Sequence, residues 1–139
     1  MQYIILIGDE LLTINSLKSI DHYGSTRSHT NDDGRHWVIF DDEYVYYDFE
    51  SEMSNGYYTK KELRKILSEI PFAKPRTVTM GYNSRERMMQ VLKQDNFLRG
   101  IYVDDDAWNI LPIEEFIECL DAMAAAGILD DFPPIRRLL

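Results

Sequence analysis

Short apolar runs alternate with helical stripes along this chain, and that alternation restricts its fold more than any other feature. Tyr3-Ile4-Ile5-Leu6-Ile7 is a continuous apolar run closed by Gly8-Asp9-Glu10, and it reads as a buried strand. Leu11, Leu12, Ile14, Leu17 and Ile20 then recur at helical spacing before Gly24, with Asp9 or Thr13 as the cap. Residues 24–36 form a polar loop with a short extended piece near Arg27–Thr30. Trp37-Val38-Ile39-Phe40 and Tyr44-Val45-Tyr46-Tyr47-Asp48-Phe49 are aromatic and β-branched, as strands prefer. Asp41-Asp42-Glu43 between them is short enough for a hairpin turn. Alternation sends Val45, Tyr47 and Phe49 to one face and Tyr44, Tyr46 and Asp48 to the other.

The pattern continues. Asn55-Gly56 marks a turn, and Thr59 with Glu62 fits a capping box ahead of Leu63, Ile66, Leu67 and Ile70. Pro71 and Pro75 bracket a linker to a strand at Thr77–Met80. Ser84 caps a helix from Arg85 to Gln94. Gly100–Val103 reads as a strand with Asn109–Pro112 as its hairpin return, and a last helix runs from Ile113 to Ala126 before Gly127. The fold class that follows is α/β or α+β, a single mixed sheet of about five or six strands with helices packed on at least one face. Residues 1–139 form a single acidic domain, because a split near Pro71–Pro75 leaves halves of about 70 residues with poor cores.

Hydrophobic content of 45% and aromatic content of 12% argue against a disordered chain. No apolar run approaches the roughly eighteen residues that cross a bilayer, so no membrane partner is expected. The N-terminal run has no basic start and makes a poor signal peptide. Cys119 is the single cysteine, which points to a reducing, cytoplasmic setting. Charge is segmented: residues 1–60 carry a net −7, residues 61–100 a net +5 and residues 101–139 a net −7. A total of −9 disfavours nucleic-acid binding, which rests on Lys and Arg.

No motif assigns chemistry. Asp104-Asp105-Asp106 follows a strand but lacks the glycine and terminal glutamate of a calcium loop, and a solvated turn explains it. His22, His29 and His36 lie seven apart across a loop and read as solvated histidines. Cys119 reads as a small residue of the last helix's buried stripe. Ser84 lacks the flanking glycines of a nucleophile elbow, and Gly8 lacks those of a dinucleotide loop. No catalytic residue, metal site or cofactor is therefore assigned, and a binding protein is favoured over an enzyme.

The Trp37–Glu52 hairpin is the stronger clue. Its tyrosines stand among Asp41, Asp42, Glu43, Asp48, Glu50 and Glu52. Tyrosine is enriched at interfaces, and the carboxylates suit a basic protein partner. In size, acidity, single cysteine and this hairpin the chain resembles bacterial immunity proteins of toxin–immunity pairs. The resemblance covers general character and no motif, so no family residue is carried over. It implies inhibition by steric cover of a toxin domain, with nucleases among the targets. Asp41, Asp42, Glu43 and Asp48 would meet the partner's positive groups, while Trp37 and Tyr46 would supply apolar anchors. Two alternatives stay open. A small metal-assisted hydrolase requires Asp104, Asp105 or Asp106 to converge with His29 or His36. A homo-oligomeric regulatory protein would pack the apolar tail Ile135–Leu139 against a second copy.

Overall fold

A computed structural model describes residues 2–53, 58–105 and 110–127. The elements run β1 (Gln2–Gly8), α1 (Ile14–Lys18), β2 (Arg27–Thr30), β3 (His36–Phe40), β4 (Glu43–Glu52), α2 (Lys60–Glu69), β5 (Arg76–Tyr82), α3 (Arg85–Lys93), β6 (Tyr102–Asp104), β7 (Ile110–Pro112) and α4 (Ile113–Ala125). Among the described residues the strands form one seven-stranded sheet in the order β2-β3-β4-β5-β1-β6-β7. All its pairings are antiparallel. The fold is α+β, with one strand more than the sequence pattern counted, since the short β2 and β7 both join the sheet. The Asn55-Gly56 turn, Asp106 and the tail from residue 128 lie outside the described residues.

The β1 run is central because its side chains are apolar on both faces. Ile4 and Leu6 enter one core with Val45, Tyr47, Val78 and Met80, under Leu17 of α1, Met88 and Leu92 of α3, and Phe116 and Leu120 of α4. Ile5 and Ile7 enter a smaller core with Met53 and with Ile66 of α2 and the adjoining Ile70. Burial of one such aliphatic side chain contributes about 1.5–3 kcal/mol. Helices therefore lie on both faces.

The helix starts obey their caps. Thr59 accepts from the Glu62 N–H while Glu62 reaches back to the Thr59 N–H, the full capping box of α2. Ser84 accepts from the Arg87 N–H to start α3. For α1 the cap is Thr13, not Asp9. Asp9 Oδ1 instead accepts from the Leu11 N–H at 2.9 Å and its carbonyl from the Leu12 N–H at 3.1 Å, closing a turn before the helix. The stripe expected over Leu11–Ile20 is thus only partly helical, with Leu12 buried and Leu11 72% exposed. Gly127, at φ 75, follows α4.

Alternation along β4 breaks after Asp48. Asp48 pairs with Thr79 but Ser51 with Thr77, so one extra residue sits in β4. This β-bulge holds Phe49 at φ 51 and leaves it exposed instead of inward-facing. Val45 and Tyr47 are buried as their spacing implies.

Candidate binding face

The register places His29, Trp37, Tyr46, Gly81 and Tyr3 side by side across β2, β3, β4, β5 and β1. They share the sheet face on which α2 covers Ile5 and Ile7. Away from α2 this face carries an aromatic cluster. The Trp37 ring meets Tyr44 edge-on at 5.2 Å and Tyr46 at a tilt at 5.0 Å. Such pairs contribute about 0.5–1.5 kcal/mol beyond area burial. Arg35 lays its guanidinium over Tyr46 at 4.2 Å and donates from Nε to Asp48 Oδ2 at 2.8 Å. Asp48 Oδ1 accepts from the Phe49 N–H at 2.8 Å.

Tyr46 is only 3% exposed, lying on Gly81 under Trp37 and Arg35; a Cβ at position 81 would overlap Cε2, Cζ and the hydroxyl of Tyr46. Burial pushes its phenol up, with Asp48 and Tyr44 adding to the rise and Arg35 opposing it. Tyr46 is therefore a brace, and Trp37 and Tyr44, both half-buried, form the accessible aromatic edge.

The β3–β4 turn is two residues long, since Phe40 pairs with Glu43. Asp41 adopts φ 59, a left-handed conformation that Asp tolerates, and Asp41 and Asp42 are both exposed. The tip is pinned from β5. The Asn83 side chain donates to the Asp42 carbonyl at 2.9 Å and accepts from the Tyr44 N–H at 2.8 Å. Glu43 points the other way, toward α3. The Ser84 hydroxyl and then the Arg87 guanidinium, whose Nε lies at 3.0 Å, hold its carboxyl below the usual range. Arg87 also stacks over Phe40 at 4.4 Å.

Of the residues expected to meet a partner, Trp37, Tyr46 and Asp48 lie together on one face. Asp41 and Asp42 form the tip, and Glu43 lies on the opposite face. Tyr44 completes the aromatic edge and is in phase with Tyr46, a signal present in the sequence. Asn83 pins the tip from 41 residues away, and nothing local to the hairpin marks it.

The charge segments meet in space. Arg76–Glu50, Arg87–Glu43 and Lys93–Asp121 join the basic middle segment to both acidic ones. Part of the segmentation is thus internal pairing at the surface, worth about 0–1 kcal/mol per pair.

The remaining chemistry-bearing residues are separated or enclosed. Asp104 and Asp105 are buried, and the Tyr58 hydroxyl donates to Asp104 Oδ2 at 2.7 Å. His36 on β3 is four strand positions from β6, about 19 Å. Among the described residues no group of three or more His, Cys, Asp or Glu is placed to hold a metal ion. His22 and His36 are buried, not solvated. His36 pairs in register with Tyr47, whose hydroxyl meets His22 Nε2 at 2.6 Å. Cys119 is half-buried; burial first, then Glu115 and Glu118, push its thiol up, which makes it a poor nucleophile. Among the described residues no helix is long and apolar enough to cross a membrane. No family model, curated protein or solved structure matches the chain.

Proposed function

We propose that this chain is a protein-binding module of the immunity type, covering a cationic partner with the acidic β3–β4 tip and the aromatic edge beside it. The target class is a toxin domain, nucleases included, and the setting is the cytoplasm, consistent with one unpaired cysteine. The observation that carries the reading is the exposed Asp41–Asp42 tip held rigid by Asn83. A rigid tip loses little conformational freedom on binding, so its charge is delivered at low entropic cost.

Asp41 and Asp42 meet Lys or Arg groups with which a nuclease grips phosphate, and long-range attraction steers the approach. Trp37 and Tyr44 supply the apolar contact. Arg35, Tyr46, Asp48 and Gly81 hold that edge in place, and Glu43 acts within the fold through Ser84 and Arg87. The test is capture of partners from the native cells on wild-type chain and on Asp41→Lys/Asp42→Lys. Recovery of a stoichiometric basic protein by the wild type alone supports the reading. Equal recovery by both, or none by either, overturns it.

A further inference from the structure

We propose that Phe49, together with Leu11, anchors a second interaction surface whose occupant is a basic amphipathic segment of another protein. A β-bulge puts Phe49 at the surface. Its structural task is to swing Glu50 toward α1, where Oε1 accepts from the Ile14 N–H at 2.6 Å and Oε2 pairs with Arg76 at 3.3 Å. Glycine performs that task without strain, because the bulged position takes φ 51. The chain instead places a phenylalanine there and leaves it 68% exposed. A bulky residue in the left-handed region costs backbone energy, and an exposed ring gains no burial within the fold. A partner that covers the ring supplies the missing burial, which offsets the backbone cost.

Leu11 supplies the second apolar side chain. It is 72% exposed on the turn closed by Asp9. The Glu50–Ile14 hydrogen bond brings the bulge beside that turn, since Ile14 is three residues beyond Leu11. Asp9 and Glu10, immediately before Leu11, and Glu52, three residues beyond Phe49, are exposed, and Arg76 is already engaged by Glu50. An apolar pair rimmed by carboxylates fits apolar side chains flanked by Lys or Arg. Phe49 lies six residues along β4 from Glu43, about 20 Å by strand rise, away from the Asp41–Asp42 tip. The two surfaces therefore report separately.

The probe is a synthetic amphipathic leucine–lysine peptide, with its leucine–glutamate counterpart as control, titrated into isotope-labelled protein and followed by backbone amide NMR. The lysine peptide is expected to shift amides of residues 9–14 and 48–52, and the glutamate peptide to leave them in place. Phe49→Gly weakens binding at least tenfold with an equal or higher Tm, because glycine relieves the left-handed backbone. Leu11→Ser weakens binding at least threefold with Tm unchanged. The proposal is overturned by shifts confined to residues 41–44 or by no shifts. Unchanged affinity of Phe49→Gly, or a fall in its Tm, also overturns it, the latter by making the ring a structural element.

Discussion

The ring of Tyr46 rests on the backbone of Gly81, its cross-strand neighbour, and occupies the space a Cβ there would need. That contact lets an aromatic side chain lie flat on the sheet and carry Trp37 and Arg35 on top of it. Gly81→Ala is expected to cost about 3 kcal/mol, because backbone and ring have no free direction in which to yield. In a Tyr46→Ala background the same change should cost under about 1 kcal/mol. Denaturant unfolding of the four-member cycle checks this, and additive effects would show that the contact is not the cause.

Acid should loosen the fold through His22 and His36. Burial lowers both from their ordinary value of 6.5; for His22 the Ile20 carbonyl and Asp21 oppose it, while for His36 Lys18, His22 and His29 add to it. The unfolded chain therefore binds more protons than the folded one between the lowered values and 6.5. Stability is full above about 6.5, falls as pH drops through that window, and levels off for these groups below their folded values. Thermal unfolding of wild type and His22→Gln between about pH 7.5 and about pH 5 should show a shallower slope in the variant. Tyr47→Phe removes the donor to His22 Nε2 and should cost about 1–3 kcal/mol at neutral pH.

Arg87 holds the helix side of the hairpin through Glu43 and Phe40. Arg87→Ala should cost about 1 kcal/mol, since the ion pair is partly solvated and the guanidinium also covers a ring. Glu43→Gln added to Arg87→Ala should change stability by less than about 0.5 kcal/mol. A chemical-denaturation series measures both, and a large second effect would place Glu43's role elsewhere.

Local signals in the sequence marked the elements well. Thr59 with Glu62, Ser84, and the stripe Phe116, Leu120 and Met123 each announce a helix that is present. The inward setting expected of Phe49 fails because a single extra residue reverses the faces, and a phenylalanine hides a bulge that glycine would have advertised. The His22–Tyr47–His36 cluster is invisible in spacing alone, since the register of β3 on β4 creates it. The charge segments were visible, but not that Arg76, Arg87 and Lys93 pair across them. For the candidate site, the hairpin and its aromatics could be read directly. Alternation already implies that Glu43 and Asp48 part to opposite faces, but not that Glu43 meets Arg87 of α3.

The most direct test is the affinity of the partner captured on the wild-type chain, measured across a salt series for wild type and for Asp41→Lys/Asp42→Lys. Wild-type binding is expected to weaken steadily with salt, and the double variant to bind at least about a hundredfold more weakly with little salt dependence left. Equal affinity and an equal salt slope in the two proteins would contradict it.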